Sequence, residues 1–225
     1  LQPNTFAVAA GMSTAGALTR WFRDQFADSA RTLETAGGPN AYATLADEAA
    51  RIRPGAEGLL VLPYFSGERT PLNDPLARGV VAGLTLAHSR GHLYRALLEG
   101  VAFGIRHNLE ALAAVGEPAQ RLVAIGGGTK TRLWLQIVSD VTGLPQDVRH
   151  TPGAAYGDAF LAGVGVGLVP GLAAIHEWLG PVTDRVQPKS APATPYESYY
   201  RLYRQLYRDS RGVVHQLAVL GQSAR

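Results

Sequence analysis

LVAIGGGTKTRLWLQIVSDVTG, residues Leu122 to Gly143, carries three structural signals in immediate succession. Arg121 to Ile125 is a compact apolar strand pattern that runs straight into Gly126-Gly127-Gly128. Leu133, Ile137 and Val141 then recur at helical spacing from about Thr131 to Thr142, until Gly143-Leu144-Pro145 ends the pattern. Glycines at the end of a strand let a ligand meet bare backbone, and the helix that follows offers free N–H groups and the positive end of its dipole. That suits a nucleotide. On local pattern alone, a tight strand-to-helix turn with no ligand reads equally well. A P-loop is excluded because Thr129, not glycine, precedes Lys130, and the dinucleotide fingerprint fails because its third glycine position holds Thr131.

Working outward, apolar spacing predicts helices over Thr14–Phe26, with Ser13 or Thr14 as cap, and over Tyr42–Ile52. A longer helix is predicted from about Gly91 to Val115, with Leu93, Leu97, Val101, Ile105, Leu109 and Leu112 on one face. Gly58–Phe65 reads as a buried strand, Gly79–Leu86 as a further short strand, and Gln146–Arg149 as an edge strand. Ala155–Val166 reads as a helix. Pro181–Pro195 is polar and proline-rich and reads as a linker, and Tyr196 to about Gly221 is a final helix. Strands alternating with helices give an α/β domain with helices covering a sheet. The expected organisation is a lobe over 1–180, a linker over 181–195, and a helix over 196–221 packing on the lobe.

Composition narrows the function. Apolar residues are 46% and charged residues 17% of 225, which is a globular balance. The 21 basic residues, with Lys130 and Lys189 the two lysines, are scattered apart from Arg201, Arg204, Arg208 and Arg211. That cluster reads as a solvated helix face, so no nucleic-acid partner is expected. There is no cysteine, which excludes disulfides and thiol chemistry. The uncharged stretch 159–175 contains four glycines and Pro170 and reads as a buried helix ending near Gly167, so no membrane association is expected. With no basic leader at the start, the expected location is cytoplasmic.

Ser66–Gly79, SGERTPLNDPLARG, is a loop dense in turn residues. Glu68 and Arg69 directly follow the buried strand. They either meet a polar ligand or a cleft, or pair with each other to order the loop. The six histidines show no ligand spacing, so no metal site is assigned. Ser13, Ser66 and Ser139 lack a nucleophile-elbow context. Asp24, Asp74, Asp140 and Asp158 cannot be told from capping and surface residues.

Three segments in this order, LPYFSGERTPLNDPLARGVVAGLT (62–85), LLEGVAFGIRHNLEAL (97–112) and AIGGGTKTRLWLQIVSDVTGLPQDV (124–148), resemble the C-terminal domain of the FGGY carbohydrate kinases, in particular xylulokinase-type members. AYGDAFLAGVGVG (155–167) and GALTRWFRD (16–24) extend the likeness over nearly the whole chain. The resemblance implies an actin-like lobe of ribonuclease-H type that binds ATP, with Mg²⁺ held mainly by the phosphates and by a separate N-terminal lobe. It assigns nucleotide contacts to Gly127 and Thr131, with Gly126, Gly128 and Lys130 close by, and to Gly16 and Arg20. Arg20 stands where related glycerol kinases carry Gln. From their place after the buried strand, Glu68 and Arg69 are expected in a cleft or interdomain loop. The family's Gly-Thr-Ser phosphate turn is absent, so the chain is expected to start just after it and to hold no catalytic base. The implied reaction is transfer of the ATP γ-phosphoryl group to a sugar hydroxyl, with a pentulose such as xylulose as acceptor. Glycerol, gluconate, ribulose and other polyols are the alternatives, and a non-catalytic nucleotide-binding or interaction module is the alternative of another class. Homodimerisation is left open.

Overall fold

The computed structural model describes residues 8–149, 154–179, 181–189 and 195–223. Parts of the expected lobe (1–7, 150–153 and 180) and linker (190–194) therefore lie outside the described residues. Helices α1 (Gly16–Phe26), α2 (Asp28–Thr35) and α3 (Ala41–Ala50) lead to a hairpin of β1 (Leu60–Leu62) and β2 (Val80–Ala82). Leu60 pairs antiparallel with Ala82 and Leu62 with Val80, with loop 66–79 between the strands. Helix α4 (Arg90–Ala113) follows, then β3 (Leu122–Ala124), α5 (Arg132–Thr142) and β4 (Gln146–Val148). The chain continues through α6 (Ala154–Gly165), the single turn α7 (Ile175–Trp178), β5 (Asp184–Val186) and α8 (Tyr196–Ser223).

Helix α4 is the hub, because α1, α3, β1, α5 and α8 all pack on it. The sequence predicts one apolar face, yet Tyr94 to Gly104 is buried on every side, including the charged pair Arg95 and Glu99. A helix surrounded by neighbours loses its polar face, and its charges must then be paired. Arg95 Nε donates to Glu99 Oε1 at 2.7 Å, and the Tyr196 hydroxyl donates to the same oxygen at 2.9 Å. Burial still pushes the Glu99 carboxyl above its ordinary range, against the pull of Arg95. Glycine lets the backbones approach closely at two points. A Cβ on Gly100 would overlap the carbonyl oxygen of Val61, and one on Gly91 would sit 3.1 Å from that of Glu48.

The core gathers Leu18 and Phe22 from α1, Leu45 from α3, Leu98 and Phe103 from α4, and Ile137 from α5. The α8 tyrosines complete it. Tyr196 and Tyr203 are 1% exposed, and the Tyr64 hydroxyl donates to that of Tyr203 at 2.6 Å.

The second sheet has the order β3-β4-β5, with β3 parallel and β5 antiparallel to β4. This corrects two expectations. Residues 146–149 are not at an edge, since β4 is central, and the expected linker 181–195 contains the third strand. Charge pairing and apolar packing together hold the strands: Asp147, buried in β4, is held from either side by Arg185 at 2.6 Å and Arg121 at 2.7 Å, and Val186 of β5 packs with Val148 and Leu135. The two guanidinium groups hold its carboxyl below the usual range. A segment polar enough to resemble a linker is thus held by a buried acid together with one apolar residue. The expected cap of α1 is also corrected: Ala15 is the cap residue, and the Thr14 hydroxyl instead donates to the Pro63 carbonyl. Helix α2 escapes the sequence reading because it buries only Ala30 and so shows no apolar stripe. Among the described residues, no helix is long and apolar enough to cross a membrane.

Candidate functional site

The glycine corner after β3 is open. Gly126 adopts φ 82° and ψ −164°, a conformation that only glycine takes without strain. Gly127–Lys130 then forms one turn of 3₁₀ helix, and Thr131 caps α5. The strand therefore does not run directly into the helix. The Thr129 hydroxyl donates to the Gly126 carbonyl at 2.7 Å, which closes the turn from within. A Cβ built on Gly126 or Gly127 meets no atom within 4 Å, whereas one on Gly128 would touch the Trp134 ring at 3.3 Å. Gly126, Gly127 and Lys130 are exposed, while Gly128 and Thr131 are half-buried. No side chain caps α5, and of its first three amides that of Trp134 donates to the Thr131 carbonyl at 3.0 Å.

Beside this corner lies a groove of about 340 Å³, walled by Val123 and Ile125 at the end of β3, Ile105 of α4, and Trp134. Val123, 50% exposed, lies on β3, which among the described residues pairs on one side, and Ile125, 58% exposed, follows it directly. The corner thus combines bare backbone, a helix start, a lysine and an apolar wall.

Gly16 and Arg20 form a second group, on α1. Both are exposed, Gly16 is the first residue of the helix, and a Cβ there would meet nothing within 4 Å. The start of α1 also lacks a side-chain cap. Helices α1 and α5 each pack on α4, and among the described residues no hydrogen bond or ion pair links the two groups.

Glu68 and Arg69 behave differently from each other. Glu68 is 5% exposed, and its Oε1 accepts from the Ser13 and Arg69 amides at 3.3 and 2.8 Å. Its Oε2 is buried without a hydrogen-bond partner, and burial pushes the carboxyl above its ordinary range. Arg69 is exposed and lies over Gly11, and it is not ion-paired with Glu68. Asp74, which the sequence alone does not tell from a capping or surface residue, is buried. It is 4% exposed and accepts from Tyr207 and His215 of α8, each at 2.7 Å. The spacing of Tyr207, Arg211 and His215 on one helix face was a readable signal for a buried acid opposite.

Among the described residues no group of three or more His, Asp or Glu side chains could hold a metal ion.

Residues 1–166 match the C-terminal domain of the FGGY family of carbohydrate kinases. Gluconokinase of Bacillus licheniformis is 32% identical over 97% of the chain and 43% of its own length. Xylulose kinase of Bacillus subtilis is 32% identical over 88% of the chain and 38% of its own length. The crystal structure of xylulose kinase from Rhodospirillum rubrum, 36% identical, superposes with a TM-score of 0.74 over 91% of this chain and 40% of that one. The chain thus spans about two-fifths of the length of the curated relatives it matches. Its α/β fold, with a C-terminal helix, is the actin-like, ribonuclease-H-like fold of these sugar kinases. With three-quarters of its residues matched and a solved relative sharing its topology, the chain belongs to the FGGY family of carbohydrate kinases as a C-terminal domain.

Proposed function

We propose that this chain supplies the nucleotide-binding wall of a two-lobed, ATP-dependent sugar kinase. The observation that carries the reading is the open glycine corner. Gly126 and Gly127 present bare backbone to free space, next to the uncapped start of α5 and to Lys130. Backbone amides and a helix N-terminus suit the phosphate chain. The apolar wall by Trp134 suits the flat base. Gly16 and Arg20 would contact the same nucleotide, and Glu68 and Arg69 would face the cleft.

In the reaction, a sugar hydroxyl oxygen bonds to the γ-phosphorus, the bond to the bridging β,γ-oxygen breaks, and ADP leaves. The hydroxyl proton passes to a base outside this chain. Such transfer depends on positioning and charge neutralisation. Mg²⁺ would ride on the phosphates. The acceptor we propose is a pentulose such as xylulose, because the Gly67–Pro71 turn resembles the xylulokinase version; gluconate and other polyols fit the same corner. The natural partner is an N-terminal lobe in the same protein, whose strands would cover the edge of β3 that is unpaired among the described residues.

Calorimetry with ATP and ADP tests the reading. Binding by the chain, alone or joined to its N-terminal lobe, with no turnover of ketose by the chain alone, is the expected result. Absence of nucleotide binding in both forms would overturn it and leave an interaction module.

A further inference from the structure

Loop 66–79 carries two buried acids that are tied in opposite directions. Glu68 accepts from the Ser13 amide. Next to it, the Thr70 amide donates to the Gly11 carbonyl at 3.2 Å, and the Gly11 amide donates to the Thr70 hydroxyl at 3.3 Å. These bonds fasten the turn to residues 11–13, which lead into Gly16 at the start of α1. Asp74 is tied to α8 instead. Its Oδ2 accepts from the Tyr207 hydroxyl and from His215 Nε2, with the Arg211 guanidinium at 3.6 Å, while Oδ1 accepts from the Leu76 amide at 3.1 Å. The two acids are also joined through their backbones, each amide donating to the other's carbonyl at 2.9 Å. Their shared mini-hairpin cannot shift at one end alone.

The result is an unbroken chain of contacts from α8 through Asp74 and Glu68 to Ser13. A buried carboxylate is stable only when it is paired. Here every side-chain donor that reaches Asp74 belongs to α8, an element lying wholly beyond residue 166, where the family match ends. We infer that α8 is a brace for the Glu68–Arg69 turn, and that Asp74 is the positioning residue through which it holds the segment entering α1. The consequence for the nucleotide wall at Gly16 rests on the proposed function; the brace itself does not.

Hydrogen exchange on the 225-residue chain without nucleotide tests the brace. Asp74→Asn keeps the shape but removes the charge. It should speed amide exchange at 67–70 and 11–16 about tenfold or more, leaving β3, β4 and β5 unchanged. Tyr207→Phe and His215→Gln each remove one donor and should produce smaller increases in the same two segments. They decide the matter if Asp74→Asn does not fold. Acceleration that stops at 74–77 and α8, or that spreads evenly into the sheet, would overturn the inference. ATP titration of the same proteins keeps the two readings apart. Failure of the parent chain to bind even when joined to its N-terminal lobe counts against the proposed function and leaves the exchange result standing. A binding parent with an unaffected Asp74→Asn variant would break the link from brace to Gly16.

Discussion

Gly126 and Gly127 are neighbours with different requirements. At Gly126 the backbone itself forbids a side chain, and Gly126→Val should cost about 1–3 kcal/mol of stability. At Gly127 the protein leaves free space, so Gly127→Val should change stability by no more than about 0.5 kcal/mol while weakening nucleotide binding at least about tenfold. Thermal melts and calorimetry on the two variants separate the roles; equal loss of stability would remove the distinction. The sequence made the triple glycine visible but not this division, because φ and the free space around an absent Cβ are set by the whole turn. Glu68 gives a pH test. Its folded pKa is raised by burial, so the ionised form is penalised above that pKa, and the penalty vanishes as pH falls below the ordinary 4.5. The stability difference between Glu68→Gln and the parent should therefore move in favour of the variant as pH rises through this range. A difference flat with pH would mean the carboxyl is not penalised.

At the level of elements, helices with an apolar stripe were legible to within two or three residues, as α5 shows: Thr131–Thr142 expected, Arg132–Thr142 found. Elements held by polar contacts were not. Strand β5 rests on Arg185 against Asp147 and on the single buried Val186, too little to show as a pattern in the sequence. Asp147 has a depressed pKa, so its contribution is present above the ordinary 3.8 and lost as pH falls through the lower folded value. Asp147→Asn should consequently erase an acid-side loss of stability that the parent shows, as followed by circular dichroism. The N-terminal end of α8 is held the same way. Tyr196 stands between Glu99 and Arg95, its hydroxyl accepting from Arg95 Nη2 at 3.1 Å, so Tyr196→Phe should cost about 1.5–3 kcal/mol in denaturant melts. A neutral result would show that the buried pair is self-sufficient.

Across the whole molecule, the family was legible because its marks lie in long ordered segments, whereas the two-sheet arrangement and the hub role of α4 depend on contacts far apart in sequence. Among the described residues the sheet order leaves one edge of β3 unpaired, with Val123 and Ile125 presented to solvent. Exposed apolar edges seek another strand. The isolated chain should self-associate with rising concentration, and Val123→Lys should suppress this in light scattering. Identical scattering from both proteins would locate the association elsewhere.

The two glycines that seat α4 against its neighbours also fix a length along the helix. Gly91 and Gly100 lie nine residues apart, and removing a single residue between them would turn the downstream half of the helix by about 100°. A side chain would then swing into the Val61 carbonyl, and Arg95 and Glu99 would lose their alignment with Tyr196. Past Ile105 the helix is seated by side chains instead, Arg106 on Glu197 and Glu110 on Tyr200, which can adjust where a backbone contact cannot.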